Sequence, residues 1–205
     1  MKLFSYVVTR DYGFAPNPFS GYCTLATCKP DVRSAAAIGD WIVGTGRKAN
    51  GFQDHLVYAM RVTEALTFEQ YWNDPRFLAK RVDRRGSRKR LFGDNVYHRN
   101  PATGHWVQED SHHSRGDGTA FGINKDHDTQ TDRVLISDDF VYFGGSAIAL
   151  PPRFRGANRL RKKGQGHRSN FTNAYVERVV VWLRSLGVWG FRGRPALFRE
   201  ATISA

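Results

Sequence analysis

The sequence contains few cysteines and no long apolar run, and both shortages exclude classes of protein. Its two cysteines, Cys23 and Cys28, cannot build a disulfide framework or a complete zinc site. Their spacing does not fit a redox pair, so we expect both to be buried structural residues. The longest unbroken apolar run, residues 179–183, is far too short to cross a bilayer. With no apolar stretch of secretion-signal length near residue 1, the expectation is a cytoplasmic protein that binds no membrane.

Two common nucleotide-binding motifs are also missing. Gly44 and Gly46 begin a glycine pattern, but the third glycine of a dinucleotide fingerprint does not follow. The same segment does not continue into the Lys-Ser/Thr of a phosphate-binding loop. The sequence therefore predicts no dinucleotide cofactor, and we expect neither a bound cofactor nor a metal.

Acidic residues are scarce relative to basic ones, and the excess is unevenly distributed. The chain has 31 Lys and Arg against 19 Asp and Glu, a net charge of +12. Residues 1–75 carry 7 basic and 7 acidic side chains, whereas residues 76–115 carry 10 and 4. Residues 116–150 carry 2 and 6, and residues 151–205 carry 12 and 2. Clustered positive charge attracts polyanions, which predicts nucleic acid or a nucleotide as the partner.

The basic runs supply the candidate phosphate contacts. Glycines interrupt both runs, which argues against the amphipathic basic helix that binds membrane surfaces. A solvated basic loop remains the alternative for either run alone. The predicted phosphate-binding residues are Arg84, Arg85, Arg88, Arg161, Lys162 and Lys163.

The pattern of apolar residues predicts one α+β domain over residues 1–205. Short β-branched and aromatic segments fill the first half of the chain, and residues 171–186 have a helical period. We expect a curved mixed sheet or small β-barrel with flanking helices and a C-terminal helix. Residues 78–132 are interpreted as an insertion that holds a basic run, a hairpin and an exposed polar loop over 110–132.

A histidine–aspartate cluster lies in that polar loop. Asp110, His112 and His113 are residue types that serve as general acids and bases, so they are the candidate catalytic group if the protein is an enzyme. The alternative is a polar loop whose histidines touch only phosphate or solvent. A neighbouring acidic segment, residues 126–128, is interpreted as a solvated loop.

Aromatic residues next to glycine or hydrogen-bonding residues recur at predicted strand ends. A base held outside its duplex needs an aromatic face and polar groups for its edge. Phe14 and Asn17, in a loop rich in proline and glycine, fit such a pocket. For Trp41 and Tyr142, burial in the core is the competing interpretation.

Longer segments carry a family resemblance. They are TRDYGFAPNP (9–18), GDWIVGTG (39–46), YAMRVTE (58–64) and VLISDDFVYFG (134–144). Together they resemble the second of the nucleotide-modification-associated domain families, over residues 1–190. Residues 39–77 are also similar to the PUA-like superfamily, which includes the EVE, ASCH and YTH domains.

The resemblance implies a compact, barrel-like domain with a nucleobase-sized pocket, found in systems that install or sense modified DNA. It therefore favours DNA over RNA as the nucleic-acid partner. Carried over by position, the pocket residues would be Tyr12, Phe14, Asn17, Trp41, Thr45 and Tyr142. Residues 86–132 have no counterpart in a minimal EVE or YTH domain, so no residue there is carried over.

Three functions remain open. The first is a module that binds a modified or flipped nucleobase, in a DNA-modification or anti-phage context. The second is a nucleotide- or nucleic-acid-processing enzyme that uses the Asp/His group, and the third is an antiviral sensor of small nucleotides. If Phe14, Asn17 and Trp41 share a cavity with Asp110 and His112, an enzyme is favoured; if not, a binding module is.

Overall fold

A computed structural model describes residues 1–156, 159–162 and 164–198. In chain order the strands are β1 (Leu3–Val8), β2 (Cys23–Leu25), β3 (Trp41–Gly46), β4 (His55–Arg61), β5 (Glu64–Leu66), β6 (Tyr97–Arg99), β7 (Trp106–Gln108), β8 (Val134–Ser137), β9 (Asp139–Tyr142), β10 (Ile148–Ala149), β11 (His167–Arg168) and β12 (Gly190–Phe191). The α-helices are α1 (Pro30–Ala35), α2 (Phe68–Asn73), α3 (Arg88–Leu91), α4 (Gly122–Asp128) and α5 (Asn173–Ser185). Short 3-10 helices cover Lys48–Asn50, Pro75–Lys80, Gly144–Ser146 and Pro152–Phe154.

The main sheet is mixed and has the order β11-β1-β3-β4-β9-β12, with β10 paired to β4. Strands β1 and β3 run parallel, whereas β3–β4 and β4–β9 are antiparallel. Alternate side chains point to opposite faces of a strand, and here both faces are apolar. One face contributes Phe4, Ile42 and Met60 to the first core cluster. The other contributes Trp41 and Val43 to a second cluster that also contains the apolar face of α5.

Gly44 shapes the centre of this sheet. A Cβ atom at this position would lie 2.3 Å from the Tyr58 ring, so only glycine allows the ring to lie across β3. The Tyr58 hydroxyl then reaches the Tyr6 hydroxyl at 2.7 Å. The glycine-containing strand therefore sets the position of a buried tyrosine pair close to β1.

A smaller sheet, β2-β8-β5, lies beside the main one, and β6–β7 form a separate hairpin. A third core cluster joins this sheet to α2 and to the hairpin; it includes Phe68, Tyr71, Tyr97 and Ile136. Helix α2 begins with the capping box of Thr67 and Gln70, as its sequence signature indicates. Tyr97 thus connects the hairpin to the body of the molecule.

The predicted α+β class and C-terminal helix are confirmed, and the sheet is mixed as expected. The barrel alternative is not: the strands within the described ranges do not close into a barrel. The prediction of an exposed loop over residues 110–132 is also wrong in part, because this segment contains α4 and the fully buried Asp128. The Asp128 carboxylate has partners in distant elements, Cys28 and Tyr97, that the local sequence does not reveal.

Within the described residues, no helix has both the length and the apolar character needed to cross a bilayer.

Candidate functional site

A cleft opens where the chain leaves β1. Its volume is about 330 Å³, within the usual range for small-molecule pockets. Aromatic rings and imidazoles form much of its wall, with cationic side chains beside them. The residues lining the cleft include Tyr6, Arg10, Tyr12, Phe14, Cys28, Lys29, His112, His113 and Asn124.

Cys28 enters the cleft from the turn between β2 and α1. It is half-buried, whereas Cys23 on β2 is fully buried. Cys28 and Lys29 have φ angles of 56° and 45°, in the left-handed region that residues other than glycine seldom adopt. The prediction of two buried structural cysteines is therefore correct for Cys23 and wrong for Cys28.

His113 lies between Cys28 and Asp128. Its Nε2 is 3.6 Å from the Cys28 Sγ, and its Nδ1 is 2.7 Å from the Asp128 Oδ2. The backbone around the histidine is also held, because its carbonyl accepts hydrogen bonds from Gln108 Nε2 at 3.2 Å and Asn124 Nδ2 at 3.0 Å. The imidazole therefore has a defined orientation, with one nitrogen toward the thiol and the other toward the carboxylate.

Asp128, the last residue of α4, is the fully buried anchor of this group. Its Oδ1 accepts the Cys28 backbone N–H at 2.7 Å, and its Oδ2 accepts the Tyr97 hydroxyl at 2.8 Å in addition to His113. The Asp128 carbonyl accepts a hydrogen bond from Arg33, which is also fully buried. One carboxylate thus ties the Cys28 turn, the β6 strand and the histidine loop together.

The two adjacent histidines have opposite electrostatic environments. Burial lowers the pKa of His113, but hydrogen bonds to Asp128 and Cys28 outweigh burial and raise it to about 10. Burial, the neighbouring His113 and two arginines lower the pKa of His112 to about 4. At neutral pH His113 is therefore an imidazolium and His112 a neutral ring.

These shifts predict how stability depends on pH. An unfolded histidine titrates near pH 6.5, so the stability gained from charged His113 is complete below that pH and is lost as pH rises toward 10. His112 has the opposite sign: its contribution is present above pH 6.5 and is lost as pH falls toward 4. In urea unfolding, we expect His113→Gln to be more destabilising at pH 6 than at pH 9. An equal effect at both values would contradict the charged His113.

The aromatic residues of the cleft contact the histidines directly. The Phe14 ring lies 4.7 Å from His113 and 5.4 Å from His112, centroid to centroid, and Tyr12 lies 4.7 Å from His112. Tyr12 also stacks on Phe92 at 5.2 Å. Stacking surfaces and the acid–base group therefore share one cavity.

A second depression, which we call the basic groove, adjoins the cleft. Its volume is about 760 Å³, and it shares Val7, Thr9 and Arg10 with the cleft. Its cationic lining residues are Arg10, Arg47, Lys48, Arg161 and Lys162. Arg161 also forms an ion pair with Asp54 at 3.1 Å. Positive charge thus extends from the mouth of the cleft across the neighbouring surface.

The structure separates the six predicted base-binding residues. Tyr12 and Phe14 line the cleft; the others are buried elsewhere. The Asn17 amide accepts a hydrogen bond from Lys80 Nζ at 2.7 Å and donates one to the Phe92 carbonyl. Thr45 bonds to the Tyr6 carbonyl, Tyr142 donates to Asp11, and Trp41 packs in the second core cluster. Four of the six therefore have internal partners rather than a place in the cleft wall.

The predicted acid–base and phosphate residues are also divided. His112 and His113 line the cleft, but Asp110 pairs with Arg84 at 2.5 Å. The Arg88 guanidinium donates to the Phe198 carbonyl, and Arg85 is exposed. Arg161 and Lys162 lie in the basic groove, and Lys163 lies outside the described residues. An enzyme would be favoured if Phe14, Asn17 and Trp41 shared a cavity with Asp110 and His112. Of these five residues, only Phe14 and His112 line the cleft.

Sequence reasoning missed Cys28, Lys29 and Asp128. The only sequence signal was weak: Asp128 belongs to the acidic segment interpreted as solvated, and Cys28 was assigned to the core. Cys28 lies 85 positions and Asp128 lies 15 positions from His113 along the chain, so only folding brings the three side chains together.

The side chains of Cys28, His113 and Asp128 also have the spacing of metal ligands. Cys28, His113 and Asp128 each offer a ligand atom, and these atoms lie within 4.8 Å of one another. However, both Asp128 oxygens already accept hydrogen bonds, from Cys28, Tyr97 and His113. In this structure both Asp128 oxygens and His113 Nδ1 are engaged in hydrogen bonds within the protein, which is the bonding of a relay.

One comparison with known proteins gives a match. A protein-family model described as nucleotide modification associated domain 2 matches residues 1–202. Neither the curated proteins nor the solved structures contain a significant match to this chain. The resemblance to the PUA-like superfamily therefore stays a prediction.

Proposed function

Because the chain belongs to the nucleotide modification associated domain 2 family, we propose that it binds a nucleobase of a nucleic acid in the cleft and the adjoining phosphates in the basic groove. The observation that carries this proposal is the position of Arg10, which lines both cavities. A base could contact Tyr12, Phe14 and His112 while its backbone continues past Arg10 into the groove.

The chemistry of the two cavities supports this division of roles. Aromatic faces stack on any base and are worth about 1–3 kcal/mol per base, whereas cationic side chains contact phosphates regardless of sequence. Tyr12 is half-buried at the cleft, and Arg47 and Lys48 are exposed along the groove. DNA is the proposed polymer, in keeping with a role in DNA modification or defence against phage.

Binding of labelled oligonucleotides over a salt series tests the proposal. Tyr12→Ala should weaken binding by about 5- to 100-fold with an unchanged salt dependence, because stacking releases no counterions. Arg47→Ala should instead reduce the slope of log K against log salt by about 1. Arg61→Ala is the matched control, since Arg61 is exposed at the end of β4 and lines neither cavity.

The result also separates polymer from free nucleotide. The proposal is supported if the protein binds DNA in a salt-dependent way and mononucleotides displace that DNA only weakly. Salt-independent binding of mononucleotides alone would favour a nucleotide sensor. If neither DNA, RNA nor nucleotides bind, the proposal is wrong.

A second candidate function, a nucleotide- or nucleic-acid-processing enzyme, is favoured by one observation. His112 and His113 line the same cleft as Phe14. Asp110 is turned to Arg84, and the carboxylate that contacts the histidine is Asp128. An enzyme at this site would therefore use Asp128 where the sequence suggested Asp110.

A further inference from the structure

We infer that Cys28 is a nucleophile, activated by His113 and Asp128, which adds reversibly to C6 of a pyrimidine base held in the cleft. The identity of the substrate rests on the proposed function. The reactive thiol does not, because it follows from the geometry of three side chains.

The three side chains form an ordered relay. The Cys28 Sγ faces His113 Nε2 at 3.6 Å, and His113 Nδ1 faces Asp128 Oδ2 at 2.7 Å. A cysteine beside a histidine that a third group orients is a recurring arrangement in covalent catalysis. The thiol also lines the cleft, so it can reach a bound ligand.

Charged side chains lie close to the Cys28 sulfur. The His113 imidazole faces the sulfur at 3.6 Å, and a histidine beside a cysteine is a common environment of reactive cysteines. The Arg33 guanidinium is a second cation close by, and its Nε donates to the Cys28 carbonyl at 2.9 Å. The buried Asp128 is an anion on the other side of the balance, since one of its carboxylate oxygens lies within 4.8 Å of the sulfur. Lys29, Tyr6, Tyr97 and His112 are further titratable groups around this turn.

The backbone at Cys28 also has the character of a functional site. Two consecutive non-glycine residues, Cys28 and Lys29, have positive φ angles. This conformation is strained for a residue with a Cβ atom, and such strain is concentrated at active sites. The Asp128 contact to the Cys28 N–H, at 2.7 Å, helps to hold this conformation and so keeps the thiol facing the cleft.

The backbone argues against acyl transfer as the reaction. Cysteine acyl transferases commonly bind the oxyanion with backbone N–H groups at the nucleophile. Here Asp128 occupies the N–H of Cys28, and residue 30 is a proline without an N–H. A thiolate that meets a nucleobase needs no such oxyanion hole, because the ring itself delocalises the charge.

Pyrimidine C6 fits this chemistry. It is the electron-poor end of a C5–C6 double bond conjugated to the group at C4. In the proposed step the Cys28 sulfur lone pair forms the S–C6 bond, and the C5–C6 π pair moves toward C5 and the C4 substituent. The proton that the Cys28 thiol gives up in this step is held on His113 Nε2, the ring nitrogen that faces the sulfur, and it returns to the sulfur when the adduct breaks down. Expulsion of the thiolate reverses the step, so no oxidant, reductant or second reactant is required.

Alkylation by iodoacetamide tests the nucleophile without any ligand. At pH 7 we expect Cys28 to react at least about tenfold faster than N-acetylcysteine, and His113→Gln to remove that advantage. Cys23 is the internal control, since it is fully buried in the folded protein. Peptide mass spectrometry assigns the modified residue. A Cys28 that reacts no faster than the free thiol and is insensitive to His113→Gln would overturn the inference.

A trapping experiment tests the substrate. The probe is a single-stranded DNA oligonucleotide with one 2-pyrimidinone nucleotide, whose C6 accepts thiolates readily. We expect an adduct that survives a denaturing gel with the wild type and with Cys23→Ala, and none with Cys28→Ser. Reversible binding of the same oligonucleotide is measured by anisotropy in the wild type and in Cys23→Ala, whose substitution lies outside the cleft. Binding without an adduct in the wild type would overturn the covalent step but keep the proposed function; loss of both would overturn each.

Discussion

Replacing Lys80 with methionine should lower the free energy of unfolding by about 3–5 kcal/mol, the cost of leaving a buried charge without its partner. Lys80 is 1 % exposed, and its Nζ donates to the Asn17 carbonyl at 3.0 Å and the Tyr22 carbonyl at 3.0 Å. Burial lowers its pKa to about 8, and the fully buried Asp94 opposes that lowering. Methionine keeps the volume but leaves the Asp94 charge uncompensated and these oxygens without a donor.

Urea denaturation monitored by tryptophan fluorescence measures this effect, and thermal unfolding should show a fall of roughly 6–20 °C. Lys48→Met is the matched control, because Lys48 is exposed and the same change should stay within about 0.5 kcal/mol. Equal stabilities for the two variants would show that Lys80 does not balance Asp94.

Asp128→Asn should be similarly destabilising, by about 3–5 kcal/mol, and should also reduce the reactivity of Cys28. The amide nitrogen would replace an oxygen that accepts hydrogen bonds from Tyr97 and His113. The substitution would also remove the Asp128 charge. Burial lowers the pKa of Arg33, and the Asp128 charge opposes that lowering. Since the His113 pKa is raised through Asp128, the imidazolium would be lost at a lower pH.

Asp110→Asn is the control of identical chemistry. Asp110 pairs with Arg84 at the surface, with about 40 % of each side chain exposed, so the change should cost less than about 1 kcal/mol. Iodoacetamide rates, measured where both variants are folded, should fall only for Asp128→Asn. If the Cys28 rate is unchanged in that variant, Asp128 supports the fold and has no part in positioning His113.

The sequence by itself determined the features that depend on nearby residues and on composition. The period of residues 171–186 predicted α5, and Thr67 with Gln70 predicted the start of α2, because helix faces and caps involve residues three or four positions apart. The family resemblance also followed from continuous segments, and the family model confirms it over residues 1–202. The roles of the predicted site residues stay predictions.

The tertiary structure alone decided which polar residues share the cleft. Cys28, His113 and Asp128 come from a strand–helix turn, a loop and a helix end, and Asp128 contacts the backbone of Cys28 across 100 positions of the chain. The sequence assigned Cys28 to the core and Asp128 to solvent, since residue type alone does not reveal a distant partner. The scarcity of cysteine argued against a disulfide framework, but one of the two cysteines lies in the candidate site. A buried carboxylate is stable only with several donors, and folding supplies those donors from separate parts of the chain.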